Sequence, residues 1–245
     1  MKNVEKITFC RLCKNRKLIT AFSLGSTPLA NAFLTKNQLG SAESFFPLEL
    51  RFCPECANLQ LGHAVSPEIL FRNYLYVSST SPVFINHFKE YAFAVAKRFK
   101  LNKKSLVIDV GSNDGILLRP FKKLGMRVLG IDPATEIAKK ATKEGVETIP
   151  EFLNEHLAKR LVTRLGNANV ITANNVFAHV YDLDELIRSV KILLKGNGVF
   201  VIEVPYLKDF IEKNLFDMIY HEHLSYFCLK PLSIFFRRHG IKIFD

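Results

Sequence analysis

The sequence predicts an α/β fold: a doubly wound parallel sheet preceded by a small, metal-pinned N-terminal domain. Three observations carry this expectation. Two Cys-x-x-Cys pairs, Cys10/Cys13 and Cys53/Cys56, stand near the start. From Ser105 onward, short apolar strand-like runs alternate with helical patterns. Directly after the first of those runs comes a glycine-bearing turn, Asp109-Val-Gly111-Ser-Asn113-Asp-Gly115.

The cysteine pairs come first in the chain. Up to about residue 75 the sequence has few long periodic runs and is broken by Gly25, Pro28, Gly40, Pro47, Pro54 and Pro67. Such a stretch builds little core unaided, so a metal cross-link is physically sensible there. Each knuckle can place two thiolates on one ion, giving the four-sulfur tetrahedron that zinc accepts; iron, or unmetallated core thiols, are the alternatives. A site closed by Cys10, Cys13, Cys53 and Cys56 leaves no open position, so the metal is expected to be structural. Cys228 stands alone and reads as a small buried hydrophobe.

After a polar connector, Tyr74 to Ser81, Ser81 and Pro82 form a helix start, and Phe84, Phe88, Tyr91, Ala92, Val95 and Phe99 recur at helical spacing. Strands are expected at 106–110, 128–131, 146–149, 170–173 and 199–204, with helices near 116–124, 135–143, 151–163 and 183–194. That rhythm means a parallel sheet with helices on both faces. A last helix is expected at 231–238, and Ile241 to Phe244 reads as the start of another strand.

Composition limits the function classes. The 245 residues, 48% of them hydrophobic, suffice for one large domain and a small one. No apolar run is long enough for a signal sequence or a membrane span, so a cytoplasmic setting without membrane partners is expected, where thiols stay reduced. The excess of 34 Lys+Arg over 23 Asp+Glu gives +11, a field that suits a phosphorylated partner such as a nucleotide-sugar diphosphate. The cations are spread over Lys14–Lys17, Lys97–Lys104, Arg119–Lys123, Lys139–Lys143 and Arg237–Arg238, as on solvated helix faces. Nucleic acid, which needs a focused patch with exposed aromatics, is not expected.

The turn after the first parallel strand is not the dinucleotide G-x-G-x-x-G, but Gly111 and Gly115 let a ligand approach the backbone closely. Asp132, near the end of the next strand, stands where an acid takes ribose hydroxyls. Asp109, Gly111, Asn113, Gly115, Asp132 and Asn174 are therefore expected to bind a nucleoside cofactor without a diphosphate, for which S-adenosylmethionine qualifies. The blander alternative makes the glycines ordinary turn residues and Asp132 a helix cap. His179 follows the fourth strand of the sheet, where open α/β sheets hold ligands, and could transfer protons or be a core histidine on a backbone carbonyl. Tyr220-His221-Glu222-His223-Leu-Ser-Tyr226 is too dense in ionisable and hydroxyl groups for packing alone. Its histidines lack the spacing of a helical zinc pair, which leaves acid/base work as the better reading.

Taken together, these strings resemble the zinc-containing, S-adenosylmethionine-dependent C-methyltransferases that act on nucleotide-linked deoxysugars. The resemblance runs through Cys10-Arg-Leu-Cys13, Leu24-Gly-Ser-Thr-Pro28-Leu-Ala-Asn31-Ala-Phe, Cys53-Pro-Glu-Cys56, Tyr74-Leu-Tyr76, Val110-Gly-Ser-Asn-Asp-Gly115, Asn174-Asn-Val-Phe-Ala-His179-Val, Glu203-Val-Pro205-Tyr206 and Tyr220-His-Glu-His-Leu-Ser-Tyr226-Phe. It implies a zinc-binding domain over residues 1–75 and a Rossmann-like class I methyltransferase domain over 76–245. The further C-terminal α/β domain of the family is expected to be absent, since the chain stops at Asp245. The reaction implied is methylation at C3 of a 4-keto-6-deoxyhexose on a nucleoside diphosphate, through an enolate. The resemblance also implies His223, with Glu222 beside it, as proton handler, and His179, Tyr76 and Tyr220 as groups that orient or stabilise the keto oxygen. A zinc-knuckle RNA methyltransferase and a truncated, non-catalytic binding module are the competing readings.

Overall fold

The computed structural model describes residues 3–72 and 74–245. In chain order the strands and helices are β1 (Val4–Lys6), β2 (Ile19–Thr27), β3 (Phe46–Phe52), β4 (Leu59–Leu61), β5 (His63–Val65), α1 (Pro67–Phe71), α2 (Pro82–Arg98), β6 (Leu106–Val110), α3 (Leu118–Lys123), β7 (Arg127–Ile131), α4 (Thr135–Lys143), β8 (Thr148–Ile149), α5 (Glu155–Leu165), β9 (Ala168–Asn174), α6 (Leu183–Leu193), β10 (Leu194–Glu203), α7 (Leu207–Glu212), β11 (Ser225–Tyr226) and α8 (Leu229–Arg238). The chain divides into two compact units.

One unit comprises Phe71–Phe177 and Asp184–Glu203. Its sheet has the order β10-β9-β6-β7-β8, parallel throughout. The chain runs through α3 and α4 one way along the sheet, then back through α5 and α6; since parallel crossovers are right-handed as a rule, the two directions put helices on opposite faces. The direction reverses between β6 and β9, and that switch is where open α/β sheets hold ligands. All five residues of β6 are buried, as a strand covered on both faces requires. The expected helix start at Ser81 is present: its hydroxyl accepts from the Phe84 N–H at 3.4 Å, with Pro82 at the first helical position. Phe88, Ala92 and Val95 of α2 then pack with Leu118 and Phe121 of α3 and with Val107 and Val170 of the sheet.

The other unit comprises Met1–Leu70, Ala178–Leu183 and Val204–Asp245. Its four-stranded antiparallel sheet has the order β11-β4-β3-β2, beside a separate β1-β5 ribbon. β3 alternates strictly, with Phe46, Leu48 and Leu50 buried and Pro47, Glu49 and Arg51 half-exposed. The compact units therefore cut the chain differently from a division at residue 75. Residues 204–245 join the cysteine-bearing segment because Ser225 and Tyr226 pair with Gln60 and Leu59 of β4. Leu207 and Phe210 of α7 also share one core with Leu48, Leu50, Leu61 and Leu224. The strand expected at Ile241 to Phe244 is not formed; those residues pair with no strand among the described residues. Among the described residues no helix is long and apolar enough to cross a membrane.

Candidate functional site

The two cysteine knuckles are built alike. The Cys10 N–H donates to the Asn15 carbonyl at 2.7 Å and the Lys14 N–H to the Cys10 carbonyl at 2.9 Å. Cys53, Asn58 and Ala57 repeat both bonds at 2.9 Å. Lys14 and Ala57, at matching positions, carry the left-handed φ of 68° and 64° that closes each loop. The four sulfurs all lie within 4.8 Å of one another, with Cys10–Cys56 at 3.5 Å and Cys13–Cys53 at 3.6 Å. A tetrahedral zinc with Zn–S bonds of about 2.3 Å needs sulfurs about 3.8 Å apart, so the donor set fits the ion. Asn15 Nδ2 lies 3.9 Å from Cys53 Sγ and supplies an outer hydrogen bond to a thiolate. The site is a closed structural zinc site.

In the α/β unit the predicted cofactor residues gather at the carboxyl ends of β6, β7 and β9. Gly111 has φ +71°, and a Cβ there would stand 2.6 Å from Val176 Cγ2, so only glycine lets this turn close. Asp132 is buried. Its Oδ2 accepts from the Asn113 N–H at 2.8 Å and its Oδ1 from the Ala134 N–H at 2.9 Å. The capping role is thus real, and each oxygen keeps a second lone pair for a ligand hydroxyl. Burial pushes the Asp132 carboxyl up, against these two bonds. Asp109 is buried too, and burial raises it to about 7 although Thr172 Oγ1 donates to it at 2.6 Å. The Asn113 side chain holds the connector, accepting from the Ser78 N–H at 2.9 Å and donating to the Tyr76 carbonyl at 2.9 Å.

Three buried polar atoms at this edge have no protein partner: Ser112 Oγ, Asp114 Oδ1 and Asn174 Nδ2. Orphans of this kind are costly unless a ligand meets them. Beside the two carboxylates at the ends of β6 and β7, they make the residues present fit a nucleoside such as S-adenosylmethionine. Asn174 Oδ1 also accepts from Tyr91 of α2 at 3.2 Å, and Glu203 pairs with His87 at 2.7 Å. Neither partner on α2 was flagged by motif, because both fall on an ordinary amphipathic pattern.

The predicted catalytic residues divide between the units. Tyr76 belongs to the α/β unit, and His179, Tyr220, Glu222 and His223 to the other. His223 is buried, and its Nδ1–H donates to the Met218 carbonyl at 2.9 Å. Burial holds its pKa below the usual histidine value, against that bond, so the ring is neutral with a lone pair on Nε2. The Tyr220 hydroxyl faces Nε2 at 3.0 Å. His179 lies against this ring, centroids 4.9 Å apart, and burial followed by the His223 neighbour lowers it to about 3. The two loops are tied where the Leu224 N–H donates to the Ala178 carbonyl at 2.9 Å. Glu222 Oε1 accepts from Asn31 Nδ2 at 2.7 Å, which gives the Pro28-Leu-Ala-Asn31 string a partner that spacing alone could not assign. His221 turns away, Nε2 donating to the Phe46 carbonyl at 3.1 Å.

Comparison with known proteins agrees with both halves of this picture. A family model described as a zinc binding domain matches residues 10–71. A second, described as a methyltransferase domain, matches residues 84–244. C-methyltransferase NovU from Streptomyces niveus is 37% identical over 242 residues, 99% of this chain and 58% of that protein. A ubiquinone biosynthesis O-methyltransferase from Rhodopseudomonas palustris (strain HaA2) is 30% identical over 117 residues, 44% of this chain and 46% of that protein. Among solved structures, the YcgJ protein from Bacillus subtilis superposes with TM-score 0.48 at 16% identity, covering 61% of this chain and 67% of that one. The chain spans a little over half the length of NovU. With a methyltransferase model matching most of its length and a parallel sheet of the required order, the chain belongs to the methyltransferase domain family.

Proposed function

We propose that the chain carries out S-adenosylmethionine-dependent C-methylation at C3 of a nucleoside-diphosphate-linked 4-keto-6-deoxyhexose, through an enolate, in a reducing cytoplasmic setting. The observation that carries this reading is the buried His223, anchored at Nδ1 by the Met218 carbonyl, with Nε2 facing Tyr220 and the His179 ring 4.9 Å away at a tilt of 48°. The likeness to C-methyltransferase NovU along nearly the whole chain supports it.

When bound, S-adenosylmethionine supplies a methyl group on a positively charged sulfur. The residues at the ends of β6, β7 and β9 would hold it: Asp132 would take ribose hydroxyls, Asn174 would offer its Nδ2–H, and Gly111 and Gly115 let the turn between them close against Val176 and Val146. Asp109 and Asn113 act one step back, Asn113 by fixing the connector that carries Tyr76. The sugar's 4-keto group acidifies the C3 hydrogen. His223 Nε2 takes that proton, the C3–H electron pair becomes the C3=C4 bond of the enolate, and the charge moves to O4. The Tyr220 hydroxyl, which faces Nε2 at rest, turns to donate to that oxygen, and His179, kept neutral, adds a donor. Glu222 acts through Asn31, holding the loop that presents His223.

The test is incubation with labelled S-adenosylmethionine and a dTDP-4-keto-6-deoxyhexose in deuterated water. Label in the sugar, with deuterium entering C3 when the cofactor is omitted, is the expected result. Neither exchange nor transfer from any 4-keto sugar, or transfer to RNA instead, would overturn the reading.

A further inference from the structure

Arg11 stands inside the first cysteine knuckle, one residue past Cys10, yet its side chain serves another part of the unit. It is buried at 6% exposure. One guanidinium nitrogen donates to Ser225 Oγ at 2.5 Å; the other donates to the Val180 carbonyl and, at 2.8 Å, to the Tyr181 carbonyl. Val180 directly follows His179, and Ser225 lies two residues past His223. One side chain thus clamps the two segments that bring the histidine rings to 4.9 Å.

The clamp closes on itself through the second knuckle. The Arg11 N–H donates to Gln60 Oε1 at 2.8 Å, and Asn58, two residues past Cys56, donates to the same oxygen at 3.1 Å. Gln60 in turn is the β-ladder partner of Ser225. Both knuckles therefore feed one frame, Arg11–Gln60–Ser225, whose geometry depends on the two loops being held together at their sulfurs. We propose that Arg11 is a positioning residue that transmits the geometry of the four-cysteine metal site to the His179/His223 pair, so that metal occupancy sets the alignment of these groups as well as the stability of the unit. Three acceptors on two segments call for the planar, multi-donor fork of arginine, which a lysine point charge does not reproduce. The proposal rests on the catalytic role assigned to the two histidines above, but the alignment itself is testable without turnover.

The experiment compares zinc-loaded Arg11→Met with wild type, using elemental analysis, calorimetry with S-adenosylmethionine, and heteronuclear NMR of the imidazole nitrogens. The variant should keep its zinc and its cofactor affinity. The His179 and His223 signals should move, and the cross-peak between their rings should weaken. Stripping zinc from the wild type with a chelator should move the same two signals. Where turnover is measured, it should fall roughly 10- to 100-fold with KM changed far less, as for a misplaced catalytic group. If Arg11→Met does not fold, Ser225→Ala leaves the knuckle intact and removes one of the three acceptors, and the same readouts apply. Unmoved imidazole signals in the metal-loaded variant, or in chelated wild type, would overturn the proposal. A His223→Asn variant that still methylates would instead sink the functional reading and leave the alignment result standing.

Discussion

In the α/β unit almost every residue proposed to hold the cofactor is delivered by a strand end or the turn that follows it: Asp109, Gly111, Asp132 and Asn174 all lie at the carboxyl edge of one parallel sheet. In the cysteine unit three separate pieces of chain must meet before His179 stands against His223, and side-chain bonds from Arg11 and Asn31, with four thiolates, hold them there. The first unit positions chemistry by backbone periodicity, which each local segment specifies for itself. The second does so by cross-links between distant residues, so losing one link there should spread further than losing one contact in the sheet.

The largest expected effect breaks that comparison open. Structural zinc contributes on the order of 10 kcal/mol to small domains that depend on it. Cys53→Ser should therefore lose metal and unfold the cysteine unit, while amide protection in β6, β7 and β9 persists. Elemental analysis with hydrogen exchange checks this; a variant with full protection in both units would show that packing alone holds the cysteine unit.

Next is His223→Asn, which removes the proposed proton acceptor and should lower turnover by about 10²–10⁴-fold with cofactor affinity near wild type. Methyl transfer and solvent exchange at C3 are the two readouts. A variant with normal exchange would shift the role to His179.

A smaller loss belongs to the sheet edge. Asp132→Ala should weaken S-adenosylmethionine binding by about 1–3 kcal/mol, through lost ligand bonds and through the Asn113 and Ala134 N–H groups it leaves unpaired. Calorimetry decides it, and unchanged affinity would remove Asp132 from the site. Amide protection beyond that edge should not change, in contrast with Cys53→Ser.

The smallest effect is one of pH, and its sign differs between the units. His179 is lowered from 6.5 to about 3, so below pH 6.5 the unfolded chain binds a proton that the folded one refuses. Its unit should lose stability as pH falls, by up to about 1.4 kcal/mol per pH unit. Asp109 is raised from 3.8 to about 7, so its contribution is fully present below pH 3.8 and is lost as pH rises through 7. Denaturation of metal-loaded wild type and His179→Gln between pH 5.5 and 7 tests the first half: the variant should show a shallower slope. Equal slopes would mean that the His179 ring titrates as an exposed histidine does.

How much was legible in the sequence follows the same division. The α/β elements were readable because strands buried on both faces are uninterrupted apolar runs and amphipathic helices repeat at 3.6 residues; 106–110 and 135–143 match to the residue. The four cysteines were readable because two Cys-x-x-Cys pairs can close one four-sulfur site. β3 was less so, since Pro47 interrupts a pattern that otherwise alternates strictly. The strand expected at Ile241 to Phe244 failed because local β-propensity forms nothing without a neighbour to pair with.

What the sequence determined by itself, then, is the family, the four-cysteine cluster and the glycine turn, because each depends on residue type and short-range spacing. Only the tertiary structure decided that residues 204–245 fold with the cysteine segment, that Asn113 holds the connector, that Glu222 meets Asn31, and that Arg11 bridges Val180, Tyr181 and Ser225. Those pairings join residues up to 214 positions apart. A hydrogen bond at that separation leaves no periodic trace in the chain, because its partners are selected by the packing of the whole unit and by no local rule of spacing.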